Sequence, residues 1–243
     1  MFNSLLQNLN LQNIDIQGIL IRVFVICISL SFHEMAHAWR AYKLGDDTAQ
    51  RAGRLTMNPL KHLDPVGTIM MVVARVGWAK PVPINPVLFT KAKTMKRGIV
   101  EVSVIGPLSN LLLAVVSYLL YNLTFLSQLM LFGNAQDFSL LNPVIQVLMS
   151  LFNALYITNI FLAIFNLLPI PPLDGFGVFG ALLPGRLYYK LMEYERYIGL
   201  AFIAIIIFAG GAFGTILQTI SIPFRFIIET PLDFLFNLLF NLF

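Results

Sequence analysis

The chain has 243 residues, of which 58% are hydrophobic and only 12% are charged. A soluble globular domain carries about a quarter charged residues, so this composition excludes one and points to a multi-pass membrane protein. The formal net charge of +4 comes from few residues gathered in particular loops, with no basic and aromatic array, so no nucleic-acid partner is expected.

Residues 1–15 mix Leu with Asn and Gln and read as a short amphipathic interfacial segment. They contain no Lys or Arg and no small-residue cleavage pattern, so no removable leader is expected. The first apolar run covers about residues 17–42, long enough to cross a hydrocarbon core roughly 30 Å thick. Its Cys27 is the single cysteine, which excludes an internal disulfide and a multi-thiolate zinc site. Within this run stands His33-Glu34-Met35-Ala36-His37. Positions four apart on a helix share one face, with Cβ atoms roughly 5–6 Å apart, so His33 and His37 can present two imidazoles to one metal ion. Glu34 lies one step round, beside the metal without binding it, where a zinc hydrolase keeps its general base. The chain has only three His, and ionisable groups inside an apolar span are costly; a role as packed core residues leaves that cost unexplained. At 1.5 Å per residue, the pair lies roughly 10–15 Å below one membrane surface.

Residues 43–64 are polar. The apolar stretch Val66–Val76, interrupted by Arg75, is too short to span and reads as a re-entrant or interfacial segment. Residues 78–86 contain Pro81, Pro83 and Pro86 and should be extended, since proline restricts both its own φ and the residue before it. In a strand, Pro81 and Pro83 leave one edge without donors, while Val82 and Ile84 keep theirs on the other. That edge is a candidate for binding an unwound substrate segment by strand addition; the other reading of the run is a rigid linker.

A basic cluster over 91–97 precedes the second span, about 99–125. Glu101 opens this span and Gly106-Pro107-Leu108-Ser109-Asn110 lies in its first turns, where small residues allow close helix approach and Asn110 can hydrogen-bond inside the bundle. Residues 126–142 hold no Lys or Arg. The third span, about 144–168, runs into Pro169, Pro171 and Pro172 and then Asp174-Gly175. The fourth, about 198–222, carries Gly210, Gly211 and Gly214, a kink or a close-packing point. The tail from Pro223 holds Arg225, Glu229, Pro231 and Asp233 and reads as an interfacial or partner-packing helix rather than a fifth span. The expected fold is therefore an all-α integral membrane protein, one polytopic domain over 1–243. It has about four transmembrane helices, the re-entrant or interfacial segment at about 66–76, and a short extended, β-like loop. Loops 43–64, 78–98 and 184–197 carry nearly all the Lys and Arg, which places them in the cytoplasm and both termini outside.

A catalytic zinc site takes three protein ligands and keeps one position for water. Asp174 emerges at the same membrane face as the C-terminal half of the first span and is the candidate third ligand; its other reading is a turn residue in Asp-Gly. Zinc with two neutral imidazoles and the carboxylates of Asp174 and Glu34 is close to neutral, as a low-dielectric site requires. Glu101, opening a helix, and Asp46, Asp47 and Asp64, in a loop read as solvated, fit this role less well. Asn166 can donate to the substrate backbone or a developing oxyanion, or else bond helix to helix.

His33-Glu34-Met35-Ala36-His37, Gly106-Pro107-Leu108-Ser109-Asn110 and Asn166-x-x-Pro169-x-x-x-x-Asp174-Gly175 together resemble the site-2 protease family of intramembrane zinc metallopeptidases, in that family's order. The resemblance covers most of the chain from the first span to about Gly175. It implies one zinc ion per chain held by His33, His37 and Asp174, Glu34 as base, and a site sunk below the cytoplasmic face, with the plasma membrane as the expected location. The expected reaction is hydrolysis of peptide bonds in the transmembrane segments of single-span membrane proteins within the lipid bilayer. No soluble stretch is long enough for the inserted PDZ or CBS domain of larger relatives. The rival reading is a metal-binding membrane protein without peptidase activity, a transporter or chaperone-like relative. A transporter is expected to need ionisable residues along a whole pathway, whereas here they gather at one depth.

Overall fold

The computed structural model describes residues 15–64, 67, 80–132 and 142–240. Helix α1 is Ile16–Leu44. Asp15 caps it by accepting the Gly18 N–H at 2.8 Å, and Gly45 ends it in the left-handed region at φ 110. There a side chain would strike Thr90 and the Leu88 carbonyl, so glycine is required twice over. A one-turn helix α2, Thr48–Arg51, and a 3₁₀ turn, Pro59–Lys61, follow. Beyond them lie the irregular run 80–85 and a second 3₁₀ turn, Pro86–Leu88. The long helices α3, Met95–Phe132, and α4, Pro143–Asn166, come next; α4 begins with Asn142 accepting the Val144 N–H and Pro143 at the first helical position. Two short helices, α5 (Asp174–Gly180) and α6 (Gly185–Glu193), lead to α7, Glu195–Phe240.

Four of these helices are long and apolar enough to cross a bilayer. The polarity is that of a membrane bundle. Phe24, Leu112, Ile205 and Phe226 face outward, while Ser29, Asn110 and Asn159 are wholly buried, an arrangement that suits lipid outside and paired polar groups within. Helix α3 lies at the centre and packs on α1, α4, α5 and α7. Ala114 of α3, Tyr156, Ile160 and Ile164 of α4, and Leu217 and Ile228 of α7 form the main apolar core. No strand occurs among the described residues. The expected re-entrant segment at 66–76 lies, apart from Gly67, outside the described residues, as does the interfacial segment expected before residue 15.

The last helix departs from expectation. It continues through Pro223 and Pro231 to Phe240, and its backbone leaves the helical region at Ala209 (φ −121, ψ 24). Phe202 and Phe213, eleven positions apart, would be about 16 Å apart along a straight helix. Their rings lie 5.7 Å apart, and both pack on Phe165. The glycines beside Ala209 therefore mark a fold-back rather than a close-packing face, since a Cβ at Gly210, Gly211 or Gly214 would meet nothing within 4 Å. The tail, expected as an interfacial or partner-packing helix, packs along the bundle and buries Ile228 and Phe236. Two of its carboxylates are paired inward, Tyr156 donating to Glu229 at 2.8 Å and Tyr118 to Asp233 at 2.6 Å, while the exposed Arg225 pairs with Glu229 along its own helix at 2.9 Å.

Candidate metal centre

The C-terminal half of α1 turns His33 and His37 toward α3 and toward the start of α5. The two Nε2 atoms are 2.9 Å apart, and Asp174 Oδ2 lies 3.1 Å from His33 Nε2 and 3.2 Å from His37 Nε2. Among the described residues these three form the one cluster of His, Cys, Asp or Glu able to hold a metal ion. Each imidazole is held from behind: His33 Nδ1 donates to Asn110 Oδ1 at 2.7 Å and His37 Nδ1 donates to the Val102 carbonyl at 2.7 Å. A carbonyl only accepts, so the hydrogen of neutral His37 is on Nδ1 and its Nε2 is a bare lone pair.

Glycine makes this approach possible. A Cβ on Gly106 would lie 2.3 Å from His37 Nε2 and 2.6 Å from His33 Cε1, so α3 can touch both rings only where it has no side chain. A Cβ on Gly175 would lie 2.2 Å from the Leu167 carbonyl oxygen. The Pro-rich break after α4 closes back on itself there and sets Asp174 at the first position of α5.

Two imidazole nitrogens and a carboxylate oxygen thus aim lone pairs at one point, an arrangement that repels itself unless a cation lies among them. Zinc bonds such donors at about 2.0–2.2 Å, which for a tetrahedron sets donors about 3.3–3.6 Å apart. The observed spacings are close to this, and the donor set fits zinc.

Glu34 is buried beside the three donors and is not one of them. It accepts the Val82 N–H at 2.9 Å. The run 80–85 is therefore not a free edge at Val82: its N–H belongs to Glu34, and its side chain packs on Ala38 and Ala49. Ile84 packs against the same cluster. The run is anchored on both sides, because Arg54 donates to the Lys80 carbonyl at 2.6 Å and the Asn85 N–H donates to Asp46 at 2.6 Å. Asp46 is wholly buried and also accepts from the Thr48 N–H and hydroxyl, which corrects its reading as a solvated residue. Glu101 is engaged by Arg40 and Arg97, which removes it as a rival ligand. Asn166 donates to the Leu162 carbonyl of its own helix at 3.0 Å rather than to another helix. His62 donates to the Thr56 carbonyl and accepts the Lys80 N–H on its own carbonyl, and Asn58 caps the turn before it; both shape the loop.

The model of peptidase family M50 matches residues 21–208. YwhC of Bacillus subtilis, provisionally named a zinc metalloprotease, is 40% identical over 191 residues, which are 79% of this chain and 82% of that one. Rip2 of Mycolicibacterium smegmatis, with the same provisional designation, is 32% identical over 164 residues, or 64% of this chain and 56% of that one. Rip2 of Mycobacterium tuberculosis is 29% identical over 152 residues, 61% of this chain and 52% of that one, so the chain spans little more than half the length of either Rip2. No solved structure matches. The reading as a metal-binding protein without peptidase activity finds no support among these relatives. A match over most of its length, on a bundle where two histidines of a membrane-length helix meet an aspartate from a short one, means that the chain belongs to peptidase family M50, the site-2 protease family of intramembrane zinc metallopeptidases.

Proposed function

We propose that this chain holds one zinc ion through His33, His37 and Asp174 and uses Glu34 to cut peptide bonds in single-span membrane proteins, near the cytoplasmic face of the plasma membrane. The observation that carries the reading is the convergence of the three donors, each within 3.2 Å of the others, with a separate buried carboxylate beside them. Zinc bound there supplies a Lewis acid and brings the pKa of its water towards 7. Glu34 takes the proton from the attacking water and passes it to the departing amide nitrogen. The Val82 N–H holds Glu34 Oε2, which leaves the other carboxylate oxygen to carry that proton. Because His33 and His37 stand eleven and seven residues before the end of α1, a scissile bond must be presented roughly 10–15 Å below the surface, which favours a substrate already in the membrane. A substrate helix must unwind to expose its carbonyl. In this arrangement Val82 acts through Glu34, and Ile84 and Asn166 are left as substrate contacts.

The side follows from charge. The helix ends that surround the site are those joined by the basic segments 43–64, 80–98 and 184–197, and such segments stay in the cytoplasm. The test uses purified protein, its bound zinc measured, acting on a single-span substrate beside Glu34→Gln. The variant is expected to keep zinc and lose cleavage by about 10²–10⁴-fold. Wild-type protein that holds zinc and cuts nothing, or a variant that cuts at the wild-type rate, would refute the proposal.

A further inference from the structure

Behind His33, where α1, α3 and α4 meet, lie Ser29, Asn110 and Asn159, all with no exposed surface. Their hydrogen bonds can be oriented from one fixed point. Asn159 places one end of its carboxamide 2.8 Å from the Leu155 carbonyl oxygen and 2.9 Å from Ser29 Oγ. A backbone carbonyl only accepts, so that end is the NH₂ and both its hydrogens are used. The oxygen of Asn159 therefore faces Asn110, 2.7 Å from its nitrogen. Oxygen only accepts as well, so Asn110 must turn its NH₂ this way, and the Ser29 carbonyl 3.5 Å from the same nitrogen agrees. The oxygen of Asn110 then points at His33 Nδ1, 2.7 Å away. The hydrogen of neutral His33 is consequently on Nδ1, and Nε2 is left bare on the side of His37 and Asp174.

We infer that Asn159 is a positioning residue of the metal centre: through Asn110 it selects the His33 tautomer whose Nε2 can bind zinc. The inference rests on His33 being a ligand, as proposed above. The two imidazoles are secured differently. His37 meets a backbone carbonyl directly and needs no relay, whereas His33 meets a carboxamide that could rotate by half a turn. Rotated, Asn110 would offer an N–H to Nδ1, and the ring hydrogen would move to Nε2, where it blocks the metal. Asn159 and the Leu155 carbonyl prevent this rotation, because it would bring two carboxamide oxygens face to face with no hydrogen between them. Partners of this kind behind a ligating histidine typically contribute 10–100-fold in metal affinity.

The test compares zinc affinity, by chelator competition on purified protein, for wild type, Asn159→Leu, Asn159→Asp and His33→Ala, with the visible spectrum of the cobalt-loaded proteins as a second readout. Asn159→Leu is expected to lower zinc affinity roughly 10–100-fold and to weaken the cobalt bands. Asn159→Asp should stay close to wild type in both, because in either protonation state its oxygen still accepts from Asn110. Wild-type affinity in Asn159→Leu overturns the inference. An equal loss in the Leu and Asp variants also overturns it, since that is the mark of packing alone. If Asn159→Leu does not fold, Asn159→Ala, which adds no bulk, takes its place in the same comparison. His33→Ala separates the two claims: unchanged zinc affinity there removes His33 from the ligand set, whereas loss there with none in Asn159→Leu overturns only the role of Asn159.

Discussion

Substituting Gly106 by alanine tests the contact on which the metal centre depends. The added methyl would sit 2.3 Å from His37 Nε2, 2.5 Å from its Cε1 and 2.6 Å from His33 Cε1. Carbon atoms pack at about 3.5–4.0 Å, so the rings must retreat by roughly 1 Å. They are not free to do so, because each Nδ1 bond is 2.7 Å long and a retreat of that size carries it past the range of a hydrogen bond, about 3.5 Å at most. Overpacking costs about 1–3 kcal/mol, and the better helix propensity of alanine offsets about 0.8–1 kcal/mol of it. The fold should therefore survive, with Tm lowered by less than about 8 °C for a chain of this size. The site should not, since a misplacement of about 1 Å costs on the order of 100-fold. Zinc retained against a competing chelator, cleavage of a single-span substrate and thermal melting are measured on the same preparation. Gly106→Ala with wild-type zinc affinity would show that the rings do not sit against α3.

Three further outcomes follow from the same geometry. Asp174→Ala should weaken zinc retention and leave the helices intact, and unchanged zinc affinity would remove Asp174 from the ligand set. Val82→Pro deletes the N–H that holds Glu34; a hydrogen bond to a charged group is worth about 1.5–3 kcal/mol, so cleavage should slow by roughly 10–100-fold at constant zinc content, and normal turnover would show that Glu34 needs no such anchor. Removing residues 223–243 takes away the buried Ile228 and Phe236 and the partners of Tyr118 and Tyr156. Tm should fall sharply, by more than the loss of one buried side chain produces, whereas an unchanged Tm would mean that the tail is only an appendage.

Much of this protein is local, and what is local can be read along the chain. Helical spacing alone puts His33 and His37 on one face with Glu34 beside them, hydropathy over windows of membrane length marks four helices long and apolar enough to span, and the uneven Lys and Arg carry the proposed sidedness. Asp174 was within reach because its loop returns to the same face, although only the structure brings its carboxylate to within 3.2 Å of both imidazoles. Other features have no local signal. In a soluble helix an apolar stripe tells which face packs inward, but α3 and α4 are apolar all round, so nothing along the chain says that Asn159 meets Asn110 and Ser29, or that Gly106 faces the two rings. The burial of Asp46, the capture of the Val82 N–H by Glu34 and the fold-back at Ala209 likewise arise from contacts between distant segments. The sequence by itself thus determined the kind of chemistry and the membrane class of the fold; the tertiary structure decided which atoms face one another, because in apolar helices facing is set by close packing and by a few buried hydrogen bonds.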